Sequence, residues 1–265
     1  MNRPISDNWM RGDPYERYIG RWSRQVAPRF LSWLGLPPGR RWLDVGCGTG
    51  ALAQTIAELA APARLAGAEP SEGFLEKARE RLGSRAELKT GSAASLPFDD
   101  GGFDAVVSGL VLNFVPDARG ALTEMTRVAC RGGTLAAYVW DYADGMELIR
   151  IFWEAAKALD PGAAPLDEGT RFPLCRRAAL ADLFAGAGLR DVQTAALEVP
   201  TPFDSFDDYW QPFLGAQGPA PAYVMSLDEA ARARLREELA RRLPQRADGS
   251  ISLTARAWAA RGTRP

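Results

Sequence analysis

Between Arg41 and Val139, short apolar runs alternate with segments of helical periodicity, and this alternation limits the fold more than any other feature of the chain. The runs Arg41–Val45, Arg64–Glu69, 86–91, 103–108 and 134–139 read as strands. Between them, residues 51–60 put Leu52, Ile56 and Leu59 on one helical face. Residues 72–82 do the same with Phe74, Leu75, Ala78 and Leu82, capped at Ser71 and closed at Gly83. A further helix starts from Asp117, carries Leu122, Met125 and Val128, and is expected to end at Gly132-Gly133. A parallel strand pair cannot be joined by a tight turn, so strands alternating with helices imply right-handed crossovers and a doubly wound α/β sheet.

Beyond residue 140 the pattern changes. A helix is expected over 144–159, opened by an Asp144/Glu147 capping box, and another over 175–187, ended by Gly188. A sixth strand covers 192–199. Residues 200–221 are rich in Pro, Gly and aromatics and read as irregular. A long helix over 226–243 has a Ser226/Glu229 capping box and a stop at Pro244, and 251–260 alternates as a final strand. The expected architecture is a mostly parallel seven-stranded sheet with helices on both faces and an insertion-built cap. Residues 1–40 form an N-terminal helical lid. Residues 41–140, 175–199 and 250–265 form the core, and 141–174 and 200–249 the cap insertions.

Composition narrows the chemistry. The chain has no histidine, which removes imidazole as base, metal ligand or nucleophile activator and excludes Ser-His-Asp hydrolases and zincins. Its three cysteines, Cys47, Cys130 and Cys175, have no metal-ligand spacing, so no metal is expected. A net charge of −1 gives no basic field for nucleic acid or an anionic membrane. No segment approaches a membrane span, and the N-terminus lacks a signal-peptide apolar stretch. The expectation is a cytoplasmic protein with reduced thiols, monomeric or homodimeric.

The sharpest local signal is Leu43-Asp44-Val45-Gly46-Cys47-Gly48-Thr49-Gly50, at a strand-to-helix junction. Glycines there let the backbone turn tightly and approach a ligand, and the helix beyond presents free N–H groups. The spacing Gly46-x-Gly48-x-x-Ala51 also fits a dinucleotide fingerprint, and Glu69 at the end of the second strand suits ribose hydroxyls in either case. Asp44 separates the two, because a dinucleotide-binding strand usually has an apolar residue there. A carboxylate at that place can hold a ligand ammonium or organise the glycine loop.

This stretch resembles motif I of class I S-adenosylmethionine-dependent methyltransferases. The likeness continues in order. Glu69-Pro70-Ser71 resembles the ribose-binding acidic motif, and Gly91-Ser92-Ala93-Ala94-Ser95-Leu96-Pro97-Phe98 the "GDAxxLPF" segment beside adenine, with Ser92 in place of Asp. Phe103-Asp104-Ala105-Val106-Val107-Ser108 resembles the fourth strand. Arg127-Val128 with Gly132-Gly133-Thr134-Leu135 resembles "RVLKPGG", with Cys130-Arg131 for Lys-Pro. The resemblance implies S-adenosyl-L-methionine held by Asp44, Gly46, Cys47, Gly48, Gly50, Glu69, Pro70, Ser71, Ser92, Ala93 and Ser108. Tyr18 and Arg21, in a segment similar to the family's N-terminal lid helix, are candidates for the methionine carboxylate, or else belong to a solvated helix packed through Trp22, Val26 and Phe30.

Open α/β sheets bind ligands beyond the carboxyl ends of their strands. That places Asn113 after the fourth strand and Trp140 and Tyr142 after the fifth as acceptor-pocket candidates, with Arg171, Tyr209 and Trp210 in the insertions; any of them can instead be core. The implied reaction is methyl transfer to a small-molecule acceptor by direct displacement, which needs alignment and exclusion of water more than a base. Asp141, Tyr142 and Asp208 are the carboxylates and phenol available should the acceptor need deprotonation, and no catalytic residue is assigned. The alternatives are a nicotinamide-dependent oxidoreductase and an S-adenosylmethionine-binding protein without transfer activity.

Overall fold

A computed structural model describes residues 19–215 and 218–265. It divides into two compact units. Among the described residues, the larger comprises 24–140, 174–197 and 257–265, and the smaller 19–23, 141–173 and 198–256.

The larger unit is built on β1 (Arg41–Val45), β2 (Arg64–Glu69), β3 (Glu87–Thr90), β4 (Phe103–Gly109) and β5 (Ala129–Trp140). Helices α1 (Arg21–Leu34), α2 (Ala51–Leu59), α3 (Glu72–Leu82) and α4 (Ala118–Val128) precede or connect these strands. With β6 (Arg190–Phe203) and β7 (Ile251–Thr263), the described residues make one sheet of order β3-β2-β1-β4-β5-β7-β6. β1, β2, β3, β4 and β5 pair in parallel and β7 runs antiparallel to β5. This is the mostly parallel seven-stranded α/β sheet that the alternation implies. β1 is an inner strand, paired with β2 and β4, and Trp42, Leu43, Asp44 and Val45 are all buried, as in parallel sheets whose two faces are covered by crossover helices. The chain order reverses between β1 and β4, so the carboxyl end of β1 opens at the switch point, where such sheets bind ligands. At the opposite end, Arg41 turns Nε and Nη2 onto the Asp104 carboxylate at 3.1 and 2.9 Å and clamps β1 to β4. That contact holds the Asp104 carboxyl well below the usual carboxylate range.

Several element boundaries differ from the sequence expectation, each for a tertiary reason. α4 ends at Val128, not at Gly132-Gly133, since Ala129 already pairs with Phe103. The ladder resumes only at Ala105 with Thr134, so residues 130–133 bulge out of β5 with Gly132 at φ 74°. The described residues of 200–221 are not irregular. β6 runs on to Phe203, α8 (Phe206–Trp210) follows from a Ser205 cap, and α9 (Pro219–Ser226) tolerates Pro219 and Pro221 in its first turn, where no N–H is required.

Neither capping box forms. Asp144 donates its N–H to Asp141, and Glu147 accepts the N–H of Thr254 at 2.7 Å, so α5 (Glu147–Leu159) starts after Met146 with no side-chain cap. Ser226 closes α9, and Asp228 caps α10 (Glu229–Arg242) by accepting the Ala231 N–H.

The smaller unit has its own aromatic core. Phe152 stacks on Phe213 at 4.6 Å and 10°, and the Trp153 indole donates to the buried Glu168 carboxyl. Tyr209 is wholly buried, packs on Phe203 and Phe213, and donates its hydroxyl to the Leu148 carbonyl at 3.0 Å. Such a ring holds the unit together. Tyr209→Ala is expected to cost about 3–5 kcal/mol of unfolding free energy. Tyr209→Phe, which loses only the hydrogen bond, is expected to cost about 1 kcal/mol. Denaturant unfolding of both variants checks this, and wild-type stability in Tyr209→Ala would contradict it.

Candidate functional site

The site grows from the carboxyl end of β1. Asp44 lies between Gly67 of β2 and Val107 of β4 and is 1% exposed. The chain then turns through Gly46 (φ 73°), Gly48 (φ 53°) and Gly50 (φ 83°), all in the left-handed region where a side chain is strained. At Gly46 the need is steric as well, because a Cβ would stand 2.6 Å from Cγ1 of Val111. At Gly48 nothing lies within 4 Å of where a Cβ would be, so that stretch of backbone faces open ground. The amides of Gly46 and Cys47 donate to the Ala68 carbonyl at 2.8 and 3.1 Å, tying the loop to the end of β2.

Glu69 organises this end of the sheet. One carboxylate oxygen accepts the Gly48 N–H at 3.1 Å and the other the Ser71 N–H at 3.0 Å. Burial raises its pKa, while these two amides pull it down. Asp44 has no such support: neither oxygen has a hydrogen-bond partner among the described residues. Burial pushes its pKa up to about 7, with the Glu69 charge adding to the rise and the Ala53 N–H, which does not meet hydrogen-bond geometry, opposing it in part. Cys47 is raised too, by burial first and then by both carboxylates, and stays a thiol.

Asp44, Gly46, Cys47, Gly48, Gly50, Glu69 and Ser71 are thus brought together. Gly91 joins them through its N–H on the Glu69 carbonyl, which carries the Ser92-Ala93 turn to the same strand ends. Pro70 and Ser92 are exposed. The buried Ser108 hydroxyl donates to the Val45 carbonyl at 2.8 Å and ties β4 to the end of β1. Asn113 has a buried Nδ2 without a partner among the described residues, two residues beyond Val111. Val111 was not a sequence candidate, because only the turn after β4 brings an apolar residue against Gly46. Trp140 is buried at the end of β5.

The remaining candidates belong to the smaller unit. Tyr18 lies outside the described residues. Arg21 pairs with Asp208 at 3.1 Å. Asp141 is gripped by Arg256 at 2.8 Å and accepts the Asp144 N–H. Tyr142 is buried with its ring 5.8 Å from Phe172, over which the Arg171 guanidinium lies. Tyr209 and Trp210 are core residues.

Sheet order, switch point and glycine loop together define the class I methyltransferase architecture. Residues 43–137 match the family model described as a methyltransferase domain. A demethylmenaquinone methyltransferase of Staphylococcus aureus is 38% identical over 108 residues, which are 40% of this chain and 45% of that protein. The chain therefore spans about half the length of the curated relatives it matches. Among solved structures, a putative methyltransferase from an antibiotic biosynthesis pathway of Anabaena variabilis aligns with a TM-score of 0.61 at 19% identity, covering 89% of this chain and 96% of that one. A phosphoethanolamine N-methyltransferase 2 of Haemonchus contortus, in complex with S-adenosyl-L-methionine, aligns at 0.58 with 16% identity, covering 95% and 56%. No helix of the described residues is long and apolar enough to cross a membrane.

The orphaned Asp44 carboxyl has a measurable signature. Its pKa rises from an ordinary 3.8 to about 7 on folding, so the native state holds a proton that the unfolded chain releases. Stability contributed this way is complete at low pH and is lost as pH rises towards 7. Asp44→Asn is neutral throughout. It is expected to be the more stable protein at pH 7, by about 1–4 kcal/mol, with the gap opening from about pH 4. Parallel stability–pH curves for the two proteins would contradict the burial of an unpaired acid at this place.

Proposed function

We propose that the chain transfers a methyl group from S-adenosyl-L-methionine to a small-molecule acceptor. The observation that carries this reading is the Asp44 carboxyl, buried without a partner beside a glycine loop at the switch point of the sheet. A buried carboxyl left unpaired is costly, and a cation-bearing ligand removes that cost. The residues fit S-adenosylmethionine. Asp44 suits its ammonium, Glu69 its ribose hydroxyls, and the open backbone at Gly48 admits close approach. Of the two roles open to Asp44, holding an ammonium is favoured, since its oxygens accept nothing from the glycine loop.

The cofactor supplies an activated methyl on a sulfonium, so the protein's part is binding, alignment and exclusion of water. Glu69 fixes the loop through the Gly48 and Ser71 amides, and Ser108 braces it from β4. A chain without histidine can do all of this. The acceptor is placed with the small-molecule class, as the name of the Staphylococcus aureus relative suggests.

Calorimetric titration with S-adenosylmethionine, S-adenosylhomocysteine and NADH tests the reading. Binding of the first two and not the third is expected. Glu69→Ala is expected to weaken S-adenosylhomocysteine by about 1–3 kcal/mol, through loss of charge-assisted hydrogen bonds. Binding of NADH alone would overturn the proposal, as would unchanged affinity in Glu69→Ala.

A further inference from the structure

Strands β1, β2 and β3 lie in that order towards one edge of the sheet. A cofactor whose ammonium meets Asp44 on β1 and whose ribose meets Glu69 on β2 brings its adenine to the end of β3, because the ribose lies between its other two parts. Residues 91–98 leave the sheet there. Gly91 donates its N–H to the Glu69 carbonyl at 3.2 Å, and a Cβ on Gly91 would stand 2.5 Å from Cδ of Pro97, so the segment folds back on its own start. Leu96 and Phe98 are buried, while Ser92, Ala94 and Ser95 are exposed at the tip.

One side chain grips this segment from behind. Arg127, in the last turn of α4, donates Nη2 to the Leu96 carbonyl at 3.0 Å and Nη1 to the Phe98 carbonyl at 2.9 Å, on either side of Pro97. The same guanidinium meets both oxygens of Glu124, at 2.8 Å from Nε and 2.9 Å from Nη2, and its Nη1 reaches Asp100 at 2.7 Å. Glu124 in turn accepts the Leu96 N–H at 3.0 Å, and the Gly101 N–H donates to the Arg127 carbonyl at 3.0 Å. Residues 91–98 lie between β3 and β4 and outside both, so their backbone groups depend on such side-chain partners. A planar fork of donors serves two carbonyls and a carboxylate at once, which an ammonium on a flexible stem does not.

We infer that Arg127, held by Glu124, is the positioning residue that sets the preference of the site for an adenine base, an inference that rests on the methyl-transfer reading. Arg127 itself touches no part of the cofactor. Its charge is offset by Glu124 and Asp100, so it acts by geometry and not as an anion site. Telling a base amino group from a carbonyl oxygen needs donors and acceptors held in place, because the wrong base then leaves them unpaired. A segment without strand partners obtains that fixity from the Arg127 fork.

The test uses the full chain, with S-adenosylhomocysteine and S-inosylhomocysteine as calorimetric probes, since their bases carry an amino group and a carbonyl at the same carbon. The wild type is expected to bind S-adenosylhomocysteine at least about tenfold more tightly. Arg127→Lys keeps the charge but loses the fork, and is expected to reduce that ratio to about threefold or less. Glu124→Gln, which weakens the brace on Arg127, is expected to reduce it to a smaller extent. A merely structural Arg127 would lower the melting temperature and leave the ratio at its wild-type value, and that result overturns the inference. So does a wild type that binds both probes equally. Should Arg127→Lys fail to fold, the ratio in Glu124→Gln decides in the same way. A wild type that binds neither probe overturns the methyl-transfer reading and this inference with it, whereas S-adenosylhomocysteine binding with an unchanged ratio in both variants overturns this inference alone.

Discussion

The structure turns on one unfavourable placement, an acid side chain set in the middle of a parallel sheet with nothing to neutralise it. Every neighbour of Asp44 in the ladder is a small or apolar residue, Gly67 on one side and Val107 on the other. The charge that acts on it is another carboxylate, Glu69, whose oxygens accept the Gly48 and Ser71 amides. A sheet built only for stability would place an apolar residue there. Under the methyl-transfer proposal, the buried acid is kept for the ammonium of the cofactor.

The surrounding features serve that placement. Gly46 is required because Val111 fills the space that a side chain would need, and Gly48 leaves its stretch of backbone facing open ground. Ser108 and Ala68 fix the loop from the two strands that flank β1. At the far end of the same strands, the Arg41–Asp104 fork holds β1 and β4 in register. The fold itself hosts many chemistries, so the functional reading has to come from these residues rather than from the sheet order.

Much of this was legible in the sequence, because it is local. Strands β1, β2 and β4 announce themselves as short apolar runs ended by glycine or an acid, and the acid before the glycine loop separates this loop from a dinucleotide fold. The parts that were not legible depend on contacts distant in the chain. Asp144 and Glu147 spell a capping box, yet Asp141 and the Thr254 amide claim them. The Pro-rich stretch after β6 looks irregular in sequence, but prolines in a first helical turn cost nothing, and α9 forms. Tyr209 and Trp210 read equally well as pocket or core, and only burial decides for core.

The most direct test of the account is the proton balance of cofactor binding. S-adenosylhomocysteine titrated at pH 6 in buffers of different ionisation enthalpy reports the protons exchanged. If Asp44 is a buried acid that ionises against the ligand ammonium, the wild type releases about one proton per molecule bound, and Asp44→Asn releases none. Equal proton counts in the two proteins would contradict the account.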